Sequence, residues 1–456
     1  MKIYMVPALL AGIWLLLLAE STQAQFTMSG QLRTRTELRD GQGSPLADGQ
    51  TPAFFTSQRT RLLMAYKAPR MRFRATLQDV RVWGQDASTN NRITRPDLNG
   101  LMLHEAWAEI DLTDTTQTHA AYTVSLKLGR QELMYDDSRL LGNLDWLQQA
   151  RRHDAAVLKV EHSEFIAHAG VAYNQNREAS SGRTYNGIPT GYPAGTNGIG
   201  TQYKSLQYLY LAKKLSAGNL SFLALKDDFN RYSLSETGEK VWTTGVWSRV
   251  TAGPYLSTQL GKNLTLTSSA YIQAGHDKDG HKLRASSLSI STLYNFGSRL
   301  KLGPGVDFLS GNSAGTSRSQ RFDPLYGTPH KFWGQMDYFY VANGFGSGGL
   351  LNYYLNATYR LSGKVSGTVD YHIFRSPNDI AFSDAPQLNR SLGSEIDVIL
   401  NYTLAPAVGI QLGYAHYFTT PTLLAAKGVT STRTGANWAY LSLNITPQFL
   451  QSSNHY

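Results

Sequence analysis

Arginine recurs at two-residue spacing early in this chain and then crowds one later stretch. Arg33, Arg35 and Arg39 flank Glu37; Arg59 and Arg61 follow, then Arg72 and Arg74. The later stretch, Gly129–Asp154, interleaves Arg130, Arg139, Arg151 and Arg152 with Glu132, Asp136, Asp137, Asp145 and Asp154. A guanidinium is a planar fork that meets a carboxylate at two points. Residues of this type at this density therefore suit internal ion pairs or the recognition of carboxylated anions such as acidic sugars. Neither use makes or breaks bonds. On sequence the two stand side by side: pairs spent within a wall, or a field offered to an anion.

Other constellations carry less. Gly275-His-Asp-Lys-Asp-Gly-His281 looks metal-like but lacks the third acid of a calcium loop, and reads as a hairpin turn. His153-Asp154 has no serine nucleophile motif beside a recognisable partner, so no catalytic role is expected. Phe332-Trp333 and Tyr338-Phe-Tyr340 lie inside a long link, where they either stack on sugar rings or fill a small core of their own. The expectation is a chain that is not an enzyme and needs no cofactor or metal.

Residues two apart share a face only on an extended backbone, so strands must position the arginines. The chain after residue 25 is patterned that way. Leu351, Tyr353, Leu355, Ala357 and Tyr359 alternate with Asn352, Asn356, Thr358 and Arg360; Val365, Val369, Tyr371 and Ile373 alternate with Ser366, Thr368, Asp370 and His372. Such runs sum to about eighteen strands, near 26–39, 53–66, 71–84, 102–112, 121–131, 152–161, 164–174, 202–214, 218–229, 240–253, 263–276, 281–294, 298–310, 349–361, 365–376, 392–404, 408–419 and 436–447. Tight turns such as His162-Ser163 and Ser362-Gly363 alternate with long links such as 40–52, 85–101, 132–151, 175–201, 311–348 and 377–391. Short turns at one end and long loops at the other are what a transmembrane barrel needs, and an even strand number returns both termini to one side.

Composition agrees. There is no Cys, Tyr numbers 26, aromatics reach 11%, Gly numbers 41 and charged residues are only 17%. No apolar run after the start approaches a membrane-spanning helix. Residues 1–24 read as a signal peptide: Lys2, an apolar run from Val6 to Leu18, and small residues ending at Ala24. Residues 25–456 then form one barrel domain. A soluble all-β chain of this length would divide into domains, and no linker divides it. The net charge of +10 favours anionic partners.

If apolar faces meet lipid, Arg33, Arg35, Glu37 and Arg39 point inward, as do Arg59, Arg61, Arg72 and Arg74; lipid-facing arginine costs about 2–4 kcal/mol at midplane. The fourth strand puts Glu105, Glu109 and Asp111 inside and His104 on the other face, and Lys127 is inward in the fifth. In the last strand Leu441, Leu443 and Ile445 face lipid, with Trp438 and Phe449 as girdle residues.

Gly129-Arg-Gln-Glu-Leu133, Ser138-Arg-Leu-Leu-Gly142, Trp146 and Arg151-Arg-His-Asp154 together resemble the alginate-export family of outer-membrane proteins. So do Phe322-Asp-Pro-Leu-Tyr-Gly327, His330-Lys-Phe-Trp-Gly334, Asp337, Ser394-Glu-Ile-Asp397 and Gly413-Tyr-Ala-His-Tyr417. The resemblance implies an eighteen-stranded monomeric barrel whose arginine-lined constriction passes a uronate polymer, with long loops folded into or over the pore. It places Arg130, Arg139, Arg152 and Asp154 in the constriction region. Arg130 is in register with outward Leu126 and Leu128, so that placement requires a bulge.

The expectation is an all-β transmembrane antiparallel barrel with long extracellular loops, set in the outer membrane, passing anionic oligo- or polysaccharide passively. The alternatives are a porin for small anionic solutes such as uronates, or a surface-binding barrel closed by its loops. Outer-membrane lipid and anionic sugar are the expected partners, with periplasmic export or uptake proteins beside them; nucleic acid is excluded by location.

Overall fold

Alternation along each strand becomes a sheet that closes on itself. The computed structural model describes residues 24–84, 101–114, 121–174, 203–238, 240–313, 316–339, 348–380 and 388–452. The leader expected over residues 1–24 lies, except for Ala24, outside the described residues, as does Tyr340.

The first half of the wall comprises β1 (Gln25–Asp40), β2 (Ala53–Ala68), β3 (Met71–Val82), β4 (Met102–Asp111), β5 (Tyr122–Gln131), β6 (His153–His162), β7 (Phe165–Tyr173), β8 (Ser205–Leu215) and β9 (Gly218–Leu234). The second comprises β10 (Lys240–Leu260), β11 (Leu264–His276), β12 (Lys282–Phe296), β13 (Leu300–Leu309), β14 (Leu350–Arg360), β15 (Val365–Arg375), β16 (Ser391–Ala405), β17 (Val408–Phe418), β18 (Gly435–Ile445) and β19 (Gln448–Gln451). From β1 to β18 each pairs antiparallel with the next, and β1 closes the ring by pairing with β18 from Leu32↔Ile445 to Asp40↔Asn437 and with β19 beyond. The last two are one strand broken at Thr446-Pro447, where proline has no N–H to give the ladder; Gly30 N–H instead donates to the Pro447 carbonyl at 2.8 Å. The result is an eighteen-strand closed barrel.

Every expected strand is present. The largest differences are in β9 and β10, which run to Leu234 and Leu260, beyond the expected 229 and 253. A membrane crossing needs only ~9–11 residues, so these two extend past the bilayer as a tall hairpin. A short helix, α1 (Pro421–Lys427), caps the β17–β18 connection; Thr420 accepts the Leu423 N–H and Gly428 ends it in the left-handed conformation.

Leu209, Leu288, Val369, Leu400, Leu412 and Leu441 stand exposed on the outside, as lipid-facing residues do. Phe73, Phe165, Phe296 and Tyr402 ring the short-turn end; Phe54, Trp83, Tyr173 and Phe418 ring the other. Phe449 is exposed as expected, but Trp438 is fully buried inside. It shares the inward phase of Tyr440 and Ser442, so it packs in the lumen and is no girdle residue. The inner wall is tightened by three cross-strand glycine–tyrosine pairs, Gly170–Tyr208, Gly305–Tyr354 and Gly413–Tyr440, in which the ring lies over the glycine where any Cβ would clash.

Candidate functional site

Inward positions at mid-depth on β1 and β2 carry Arg33, Arg59 and Arg61, and all three converge on Asp145 of the 132–152 segment. Arg59 donates to both Asp145 carboxylate oxygens, at 2.7 and 3.1 Å. Arg33 and Arg61 each add a contact at 3.2 Å. Arg59 and Arg61 are also held from the wall, by Gln31 at 2.8 Å and Gln78 at 2.7 Å, whereas Arg33 is held by the beam, through Gln148 at 3.0 Å. Arg59 is 0% exposed, whereas Asp145 is 40% exposed. Burial acts to raise the Asp145 pKa, but the Arg59 hydrogen bond and the charges of Arg59, Arg33 and Arg61 outweigh it and hold the carboxyl below its ordinary range.

Beside this cradle, Arg35 donates to Glu37 at 2.8 Å and to the Trp146 carbonyl at 2.9 Å, and its guanidinium lies 4.1 Å from the Trp146 ring centroid. Trp146 stacks on His330 at 4.2 Å and meets Trp438 and Tyr440 edge-on.

Segment 132–152 crosses the lumen like a beam. One part rests on β8 and β9: Tyr135 Oη bonds Tyr208 Oη at 2.9 Å, and Asp136 accepts from Tyr210 and Ser221 at 2.9 and 2.6 Å. Another is pinned to β13 by Arg139, which donates to Asp307 at 3.0 Å and to Asp137 at 3.3 Å, with Phe332 under its guanidinium at 3.9 Å. The far part is the Asp145–Gln148 segment on β1 and β2. A second insert, 316–339, lines the opposite wall. Asp323 accepts from Arg249 at 2.6 Å, Tyr326 donates to Asp227 at 2.7 Å, and Met336 N–H donates to Glu395 at 2.7 Å. The inserts join through Gly142 N–H to the Tyr326 carbonyl and Tyr326 N–H to the Leu140 carbonyl, both at 3.0 Å.

Among the described residues, all six non-glycine residues with positive φ lie in these inserts: Asp136, Ser138, Leu144, Ala150, Leu325 and Asp337. Leu and Ala gain nothing from the left-handed region. Strain of that kind persists only where the surroundings over-determine the backbone, which marks both inserts as built into the lumen.

The arginines of the early strands thus divide. Arg33, Arg35, Arg59 and Arg61 hold the beam. Arg72 and Arg74, each 39% exposed, sit nearer the short turns, with Arg72 on Asp111 at 2.5 Å and Arg74 on Glu105 at 3.0 Å. Glu109 accepts from Lys159 at 2.8 Å, and Lys127 lies 3.9 Å over the Trp107 ring. Here four cations, Arg72, Arg74, Lys127 and Lys159, face three carboxylates.

Two site expectations are corrected. Arg130 pairs with Asp154 across β5 and β6 at 2.8 Å on the outer face; β4, β5 and β6 keep unbroken register there, so no bulge turns either residue inward. Arg139 does sit inside, and Arg152 reaches the Met102 sulfur at 3.5 Å. His104, expected outward, is buried inside: a bulge opposite Thr76–Leu77 in β3 sends both it and Glu105 into the lumen. His104 then bridges Arg61 at 3.1 Å and Glu132 at 2.9 Å. Of the other candidates, His153 is buried on Tyr203 while Asp154 faces out, so the two cannot act together. Trp333, Tyr338 and Phe339 are core, with Tyr338 packed on Tyr417 and Phe339 on Phe374. Asp277 ties the 275–281 turn by accepting the Asp279 and His281 N–H groups.

Sequence reasoning missed Asp145 as the keystone, and Gln31, Gln78 and Lys159 as inward partners. The glutamines were findable, since Gln31 and Gln78 continue the inward phase of Arg33 and Arg74. Asp145 was one of four loop acids with no period to single it out.

With this geometry in hand, likeness to known proteins is informative. The Alginate export family profile matches residues 24–437. No curated protein matches by sequence. Solved structures of similar fold include Acinetobacter baumannii OccAB4, with TM-score 0.59 and 14% identity over 94% of this chain and 99% of that one. Pseudomonas aeruginosa OpdO gives 0.58 and 14% over 93% and 98%, and P. aeruginosa OpdK with vanillate gives 0.56 and 12% over 94% and 99%.

Proposed function

We propose that this chain, which belongs to the alginate export family of outer-membrane β-barrels, passes anionic uronate-type oligo- or polysaccharide passively through its lumen. The family is one of channels, not enzymes. The observation that carries the substrate class is the one-sided inner wall: Arg33, Arg59 and Arg61 against Asp145 at mid-depth, then the Arg72, Arg74, Lys127 and Lys159 group toward the short turns. Low-dielectric walls extend such a field across a narrow throat, so carboxylated solutes are drawn in and cations repelled. Movement runs down the gradient in either direction. The single closed sheet needs no second copy, and we infer a monomeric channel. We infer also that residues 1–24 are a leader removed on export, so that the mature chain begins near Gln25, the first residue of β1; N-terminal sequencing of outer-membrane protein tests this.

The beam supports a second reading. It crosses the lumen and leaves less room for a polymer than an unobstructed barrel of this size, which favours small carboxylates such as monouronates; OpdK, of like fold, was solved with vanillate. Planar-bilayer recording separates the readings. Under the first, reversal potentials in a salt gradient report anion preference and oligouronates interrupt the current. Under the second, anion preference remains, monouronates permeate, and oligomers are excluded without interrupting current. Cation preference overturns both, and no current at all marks a barrel closed by its loops.

A further inference from the structure

We propose that Arg33, Arg59 and Arg61 form a carboxylate-binding site whose resting occupant is the protein's own Asp145, and that an incoming uronate carboxylate exchanges with Asp145 to swing the adjoining segment off the wall. The inference deepens the channel reading and rests on it. Three guanidiniums around one carboxylate leave a positive excess, and two of them do not depend on the segment for their placement, since Gln31 and Gln78 hold Arg59 and Arg61 from the wall itself, while Arg33 is released with the segment and is free to follow the incoming carboxylate. A cradle pre-set by wall residues keeps its shape when its ligand changes. Asp145 is the accessible member: its side chain is 40% exposed while Arg59 is sealed at 0% and Arg61 is at 10%. An anion in the lumen therefore meets Asp145 first and can displace it stepwise.

The backbone defines what moves. Leu144 at φ +49° and Ala150 at φ +54° bracket the Asp145–Gln149 segment. Both residues are strained in the left-handed region and relax when the segment leaves the wall. The rest of the beam stays pinned by Arg139 on Asp307 and by Asp136 on Tyr210 and Ser221. As the segment leaves, Arg33 and Arg35 give up the Trp146 carbonyl, Gln148 gives up Ser57 and Gln78 gives up the Gln149 carbonyl, so the exchange opens the β1–β2 side of the lumen without unfolding the loop. Asp145 competes as a tethered ligand, and a short tether corresponds to roughly millimolar effective concentration. A monouronate must reach that range to exchange, whereas an oligouronate, with a carboxylate on every sugar, does so at lower concentration.

The test uses the full-length barrel in planar bilayers, with glucuronate as probe, glucose as neutral control and ionic strength fixed. Native protein is expected to show a saturable rise in conductance with glucuronate and none with glucose. Asp145→Asn, checked for folding by heat-modifiable gel mobility, is expected to conduct at the raised level from the start, with no further rise. Calorimetry on detergent-solubilised protein adds a readout independent of current: Asp145→Asn should bind glucuronate about tenfold more tightly than native protein, because the internal competitor is gone. Arg61→Gln should weaken glucuronate binding, whether or not the Asp145 variant folds. Equal affinity and equal conductance in native and Asp145→Asn protein, with anion preference intact, overturn the exchange and leave the channel reading standing. Loss of anion preference in native protein overturns the channel reading itself.

Discussion

Asp145 ties the pH behaviour of the lumen to one carboxyl. Its arginine partners depress its pKa in the folded protein, so its contribution to holding the beam is present above the ordinary aspartate value and is lost as pH falls through the lower folded value. Conductance should therefore stay constant from neutral pH down to about 4 and rise only below that; recordings across that range check it. Lys427 behaves oppositely. Burial lowers its pKa to about 8, so its charged form is disfavoured where it donates to the Tyr338 carbonyl. The docking of α1 should tighten as pH rises from about 8 toward the free-lysine value near 10.4, read as slower hydrogen exchange in that helix after correction for the intrinsic rate. Arg139 is a separate case. Its guanidinium is 6% exposed and serves Asp137 and Asp307. Arg139→Ala strands the buried Asp307 and the partly buried Asp137, a loss of about 3–5 kcal/mol for a buried pair broken from one side. The expected result is a folded barrel whose 132–152 segment becomes sensitive to protease.

At the scale of strands, the inside–outside phase makes a sharp contrast available. Val369 in β15 is 42% exposed on the lipid face, and its neighbour Thr368 faces the lumen. Val369→Arg should impair assembly, at about 2–4 kcal/mol near midplane, and Thr368→Arg should be far milder; the heat-modifiable fraction on unheated gels measures both. This phase is what made the fold legible: most strands carry a two-residue period that a one-residue error would invert. The site was legible only where it inherits that period. Arg33, Arg35, Arg59, Arg61, Arg72 and Arg74 could be placed inside because β1 to β3 run without interruption, whereas His104 could not, since the bulge that turns it inward depends on pairing across strands. Arg130 obeyed the period, and the motif that suggested otherwise was a signature of the loop beginning two residues later. Within the inserts no period exists; partners such as Asp145 with Arg59 or Arg139 with Asp307 are set by tertiary packing alone.

For the whole channel, selectivity should divide along the same line. Arg72, Arg74, Lys127 and Lys159 face the lumen without holding the beam, so replacing all four with Gln should reduce anion preference; the change strands the buried Glu105 and Glu109, so the barrel should also be less stable, and heat-modifiable gel mobility separates the two effects. High salt should mimic the loss in native protein, as the Debye length contracts to about 3 Å at 1 M; reversal potentials measured at several salt concentrations check both. The seam between β1 and β18 has a further consequence, for the order of assembly. Trp438 of the final strand donates to Glu37 of the first at 3.1 Å and meets Trp146 of the beam edge-on, and Arg35, which Glu37 holds, lies on the same Trp146 ring. These contacts predict that the beam is in place before the last strand zips, so that the closing strand docks on a surface made earlier in the chain. A final strand paired one residue out of step would turn Trp438 and Tyr440 to the lipid, leave Glu37 without its indole and find no aromatic face to dock on. Such a misclosed ring would reopen rather than persist. Trp146→Ala removes that docking surface and should leave a fraction of barrels trapped in faulty closure, seen as a slow or incomplete gel shift during refolding into vesicles.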